Sequence, residues 1–129
     1  GELEAVDLPD AWNERFRAYM GFTPPNDAEG VLQDVHWSGG MIGYFPTYTL
    51  GNLYAAMFFE AAERDLGDLH AMFRKGEFTP LLEWLRENIH QHGKRYTAKQ
   101  LVERVTGKAP SAEPLLNYFE RKFGALYGI

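Results

Sequence analysis

An aspartate, a histidine, a tryptophan and two tyrosines fall within one stretch, Gly-Val-Leu-Gln-Asp-Val-His-Trp-Ser-Gly-Gly-Met-Ile-Gly-Tyr-Phe-Pro-Thr-Tyr, from Gly30 to Tyr48. Four glycines and Pro46 lie among them. Glycine opens backbone conformations closed to other residues and proline fixes φ, so the composition describes a shaped, irregular segment running into a helix. Polar and aromatic groups carried on such a segment can form a site wall, and His36, Tyr44 and Tyr48 are its hydrogen-bonding members. The plainer alternative is a set of structural polar residues satisfied at an irregular corner, and residue types alone leave both open.

Other chemistries find less support. A zinc peptidase site needs H-E-x-x-H, because two histidines one helical turn apart face the same metal while the glutamate polarises its water. None of His36, His70, His90 and His92 stands in that arrangement. His90 and His92 are two apart, which on a helix points them about 200° from one another. A helix C-terminus, where a cation is favoured, accounts for them better. The expectation is therefore no bound metal and no cofactor. Lys94 and Arg95, beside that helix end, could grip a carboxylate or could be solvated charges. Ser38 and Ser111 have no supporting histidine and acid at motif spacing, so a serine triad carries no weight.

The elements that must position these residues read as helices. Asp7, Pro9 and Asp10 make a helix start, with Trp12, Phe16 and Tyr19 at helical spacing before Gly21. Asn26 with Glu29 suggests a capping box for a short helix carrying Val31, Leu32 and Val35, which would deliver Asp34 and His36 at its end. Apolar and aromatic residues at 50, 53, 54, 57, 58 and 61 fit a period near 3.6, giving a central helix over roughly 46–66 that ends at Gly67. Its apolar circumference up to Phe59 argues burial on several sides, and Gly51 within it hints at a close backbone contact. Shorter runs follow around Leu69–Phe73 and Leu81–Ile89. Thr97 with Gln100 marks a further helix start, and Ser111 a final one striped with Leu115, Leu116, Phe119, Phe123, Leu126 and Tyr127. The fold class is all-α, about seven helices around the central one, with Met41 to Tyr44 able to lie extended as a short piece.

With 129 residues the chain is expected to be one domain, 1–129, of a size that buries roughly 65–70% of its unfolded surface. A net charge of −5 and the absence of any basic run argue against nucleic acid. No cysteine is present, which fits a reducing compartment, and no 18-residue apolar run suggests a membrane span. A cytoplasmic protein with no membrane partner is the expectation.

Gly30-x-x-Gln33-Asp34-x-His36-Trp37, followed by Gly43-Tyr44-Phe45-Pro46-Thr47-Tyr48, resembles a signature of the carboxypeptidase Taq family of thermostable zinc carboxypeptidases. The likeness continues through Leu50 to Ala56, Leu81 to Leu85 and Gly93 to Tyr96, and is to the last quarter or so of that family's long chain. The resemblance implies that His36 and Tyr48, with Tyr44 as understudy, donate hydrogen bonds to the oxyanion formed when a peptide carbonyl is attacked. It also implies substrate contacts at Gln33, Asp34, Trp37 and Arg95. The family uses zinc, whose H-E-x-x-H ligands this sequence lacks, so no turnover is expected from the chain alone. Two functions follow as expectations. One is a catalytically incomplete relative acting as a binding, oligomerisation or regulatory module. The other is a fragment of a full-length metallocarboxypeptidase whose activity needs the remainder. Expected partners are a second copy or higher homo-oligomer, a full-length relative, or a peptide.

Overall fold

The structure is a computed structural model that describes residues 3–128. It is all-helical, as the sequence predicts, with no strand among the described residues. Its α-helices are α1 (Leu8–Met20), α2 (Val35–Ser38), α3 (Thr47–Leu66), α4 (Leu69–Arg74), α5 (Thr79–Asn88), α6 (Ala98–Thr106), α7 (Glu113–Phe119) and α8 (Ala125–Tyr127), joined by short 3-10 turns. Among the described residues no helix is long and apolar enough to cross a membrane. The chain divides into two compact units, Gly1–Phe45 and Pro46–Ile129.

In the first unit α1 starts with Pro9 in its opening turn, where the missing N–H costs nothing, and stops at Gly21. Its Trp12 and Phe16 stack at 6.3 Å, and Phe22 meets Phe16 edge-on at 5.2 Å, forming a ladder of rings. Arg17 folds back so that its Nε donates to Thr23 Oγ1 at 2.8 Å. Asn26 caps as the sequence suggests, its Oδ1 accepting from the Glu29 N–H at 3.0 Å. The single helix expected from there is instead two 3-10 turns, Asp27–Glu29 and Val31–Gln33, and then α2. Gly30 makes the break: its ψ of −114° leaves the helical region. Met41 to Tyr44 is a turn, the Tyr44 N–H donating to the Met41 carbonyl at 3.1 Å, so that segment is not extended.

The second unit is built on α3. Its core cluster is Ala61 and Ala62 of α3 with Leu69 and Trp84, packed by Phe59, Leu66, Met72, Phe73, Leu81, Leu85, Ile89 and Val105. Alanines at 61 and 62 let the neighbouring elements approach, and the indole N–H of Trp84 is satisfied by Asp65 Oδ2 at 3.0 Å. Two hydrogen bonds from Arg64 and Trp84 hold the Asp65 carboxyl below its ordinary range. Val102 of α6 is fully buried, and the Met57 sulfur of α3 receives the Ser111 N–H at 3.4 Å. The start of α6 is a capping box: Thr97 Oγ1 accepts from the Gln100 N–H at 3.3 Å, while Gln100 Oε1 accepts from the Thr97 N–H at 3.0 Å. The final helix is interrupted by a widened turn at Glu120–Gly124, through which Phe119, Phe123 and Tyr127 keep ring spacings of 5.8 and 6.1 Å.

α3 packs against α4, α5, α6 and α7, as the expected cover on several sides requires, but that cover does not extend to its start. Its buried residues are Met57, Ala61 and Ala62, whereas Tyr48, Leu50 and Gly51 near its start are exposed. A Cβ built on Gly51 would meet nothing within 4 Å, so the close backbone contact expected there does not exist. Glycine in an exposed helix interior costs about 1 kcal/mol against alanine. Gly51→Ala should therefore stabilise this chain by about 0.5–1 kcal/mol, read as a melting temperature raised by a few degrees. A lowered melting temperature would place something against that face of α3.

Candidate functional site

In the first unit, part of the stretch singled out in the sequence packs around His36. Gly30, which opens it, is buried, and a Cβ there would lie 3.2 Å from both the Asn26 carbonyl oxygen and Pro24 Cβ. A side chain at that position must push backbone aside, which gives the glycine a packing reason. Gln33, three residues on, is spent locally: its Nε2 donates to the Ala28 carbonyl, bracing the two 3-10 turns. That bond makes Gln33 a support of the segment.

Asp34 then resumes helical structure as the N-cap of α2, and its Oδ1 accepts from the His36 N–H at 2.8 Å. The same oxygen lies 2.8 Å from His36 Nδ1. Both side chains are largely buried, at 11% and 14% exposure. Burial pushes the Asp34 carboxyl up, but hydrogen bonds from the His36 backbone and ring, the ring's charge when protonated and the Trp37 backbone hold it below the ordinary carboxylate range.

The His36 ring is further fixed by aromatics. Tyr44 stacks on it at 5.6 Å with an interplanar angle of 25°, and Phe45 meets it at 5.5 Å with an angle of 63°. Trp37, next in sequence, turns to Trp12 of α1 in a T-shaped pair at 6.3 Å. Of the seven residues singled out in the sequence, the first unit thus brings His36, Asp34 and Tyr44 into contact. Trp37 is packed against α1 and Gln33 is tied to backbone.

The other two belong to the second unit. Tyr48 lies in the first turn of α3, half exposed. Arg95 follows the 3-10 turn His90–His92, and its guanidinium stands 5.8 Å from the Tyr96 ring centre, with that of Arg104 at 5.4 Å. His92 meets the same ring edge-on at 5.4 Å. Those groups form an aromatic–cation cluster at the start of α6, and His90 and His92 lie in the turn that follows the C-terminus of α5.

A groove of about 940 Å³ in the second unit, between α3 and the final helix, was not foreseen. Phe59, Phe73, Leu115 and Phe119 line it with Glu60, Glu63, His70 and Arg121. Its two sides lie some sixty residues apart in sequence, and no local spacing signals such a pairing. Among the described residues no group of three or more His, Cys, Asp and Glu side chains comes close enough to hold a metal.

A family model described as carboxypeptidase Taq (M32) metallopeptidase matches residues 1–123. The chain is 58% identical over 128 residues to thermostable carboxypeptidase 1 of Thermus thermophilus, covering 99% of this chain and 25% of that protein. It is 43% identical over 126 residues to carboxypeptidase 1 of Bacillus subtilis, again covering 25% of the relative. A crystal structure of an M32 carboxypeptidase from Deinococcus radiodurans superposes with a TM-score of 0.95 at 45% identity, over all of this chain and 26% of that one. The chain spans about a quarter of the length of the relatives it matches.

Proposed function

The chain belongs to the carboxypeptidase Taq (M32) metallopeptidase family, and from that premise we propose that it is one portion of a metallocarboxypeptidase, supplying a wall of the substrate site. His36 is the residue of that wall which meets the peptide, with Tyr48 and Tyr44 as further donors. What supports this reading above all is a match that runs through Gly30 to Tyr48 and the whole fold yet covers only a quarter of each relative. The metal, and the chemistry it supplies, belongs to the part of the relatives' length that this chain does not cover. By itself the chain binds no stoichiometric zinc and turns over no peptide.

The arrangement suits the role. An oxyanion site needs donors held still before the reaction, since preorganised dipoles cost no reorganisation when charge develops. His36 is held on one edge by Asp34 and on a face by Tyr44. The first unit also has surface to offer a larger body: Met41, Ile42, Tyr44 and Phe45 are all exposed.

A second reading is a binding or oligomerisation module working without the metal. Leu116, Phe119, Leu126 and Tyr127 along the final helix are exposed as well, and a stable interface could bury them in a homodimer. Co-expression separates the two readings. Produced together with the remaining three quarters of the Thermus relative, the chain should co-purify one-to-one, with light scattering giving the summed mass. A chain that stays apart and self-associates would favour the module.

A further inference from the structure

We propose that Asp34 is a positioning residue for His36, fixing the imidazole with its proton on Nδ1 and thereby assigning Nε2 as the nitrogen that meets the substrate. The inference rests on the reading that His36 belongs to the substrate wall, and it adds which atom works and what selects it.

The geometry carries the assignment. One carboxylate oxygen, Oδ1, sits 2.8 Å from both the backbone nitrogen and the ring Nδ1 of His36. An ionised carboxylate only accepts hydrogen bonds, so the proton shared with the ring resides on Nδ1. Asp34 is ionised at neutral pH, because its interactions with His36 and the Trp37 backbone outweigh the opposing effect of burial. In the neutral ring Nε2 then carries the lone pair, the reverse of the tautomer that an isolated imidazole prefers in water. Nε2 can accept a proton in that state, and it donates to an oxyanion only as the imidazolium, whose charge Asp34 balances. Tyr44 stacked on the ring and Phe45 against it oppose a flip that would put Cδ2 in place of Nδ1 against Asp34 and Cε1 in place of Nε2.

The competing explanation is that Asp34 merely caps α2. Asparagine caps a helix about as well as aspartate, so Asp34→Asn leaves that role intact. The same oxygen faces the His36 N–H and Nδ1, so an asparagine that keeps the cap also keeps an acceptor against Nδ1, and what it removes is the negative charge that favours the proton on Nδ1. A neutral partner in this position of a His–Asp pair is known to select the wrong tautomer in serine proteases.

The test is the ring nitrogen spectrum of the 15N-labelled chain, at a pH where His36 is neutral. The expected result is a protonated Nδ1 and an unprotonated Nε2 in the parent chain. In Asp34→Asn the population moves towards protonated Nε2, with a melting temperature within about 3 °C of the parent, an interval of roughly 0.5–1 kcal/mol. A parent His36 already protonated on Nε2, or an Asp34→Asn spectrum unchanged from the parent, overturns the proposal. If Asp34→Asn fails to fold, the parent spectrum together with that of Asp34→Ser, which keeps a capping oxygen, decides it in the same way. Failure of the substrate-wall reading shows elsewhere. It would appear as unimpaired turnover of a His36→Ala chimaera built on the Thermus relative, whatever the tautomer.

Discussion

His36→Ala should lower kcat by about 10²–10³-fold when this chain replaces the matching quarter of the Thermus relative, while KM changes little. An oxyanion donor contributes after the carbonyl has been attacked, so its loss falls on the transition state and leaves the Michaelis complex nearly unaltered. That factor corresponds to roughly 2.7–4 kcal/mol, the range for removing one such donor from a preorganised site. Alanine suits the test because α2 is capped by the Asp34 carboxylate through a backbone N–H that the substitution retains. Tyr48→Phe should cost turnover as well. Tyr44→Phe should cost less, because the Tyr44 ring stays in place to stack on His36. Steady-state kinetics on an N-blocked dipeptide give the answer. A rise in KM at constant kcat would recast His36 as a ground-state contact.

Leu69→Ala should destabilise the chain by about 2–5 kcal/mol, the cost of deleting a buried leucine and leaving a cavity. Leu69 is fully buried at the centre of the cluster formed with Ala61, Ala62 and Trp84. Two of those neighbours are already alanine and cannot lengthen to fill the space, so collapse around the missing isobutyl group is limited. Folded proteins of this size are stable by only about 5–15 kcal/mol, which makes that loss a large share. Urea unfolding should show a lower midpoint at unchanged slope. A loss below 1 kcal/mol would mean that the α3–α4–α5 packing does not hold the unit together.

What could be read from the sequence was what short-range chemistry decides. Thr97 and Gln100 satisfy each other's backbone N–H groups within four residues, so their capping box is visible in the letters and present in the structure. The central helix, expected over roughly 46–66, runs Thr47–Leu66 because its apolar period continues until a glycine stops it. Gly30 was legible as a motif residue, but its break of the expected helix was not. The crowding by Pro24 and Asn26 that demands a glycine there is tertiary.

The candidate site was legible by residue identity and only partly by arrangement. His36, Asp34 and Tyr44 were chosen and do meet. Their relation, one carboxylate oxygen serving as both cap and ring partner, depends on α2 beginning at Val35, a boundary the periodicity did not locate. An aspartate two residues before a histidine at a short helix start is the signal that could have found it. Gln33 and Trp37 show the converse, with side chains of plausible chemistry engaged in local support and in ring packing. Burial of the start of α3 was overestimated for a physical reason. Apolar periodicity records that a face is suited to cover, and says nothing about whether the covering residues belong to the same stretch of chain. Tyr48 and Leu50 are exposed here, and under the proposed function their cover comes from a portion of the relatives' length that this chain does not match.

Turnover of an N-blocked dipeptide, with one equivalent of zinc supplied to each protein, tests that assignment most directly. Three proteins are compared: this chain alone, the Thermus relative with its matching quarter removed, and the chimaera in which this chain fills the gap. The expected result is release of the C-terminal residue by the chimaera alone, with neither part active by itself. Turnover by the isolated chain, or a folded and zinc-loaded chimaera that stays inactive, would contradict the account.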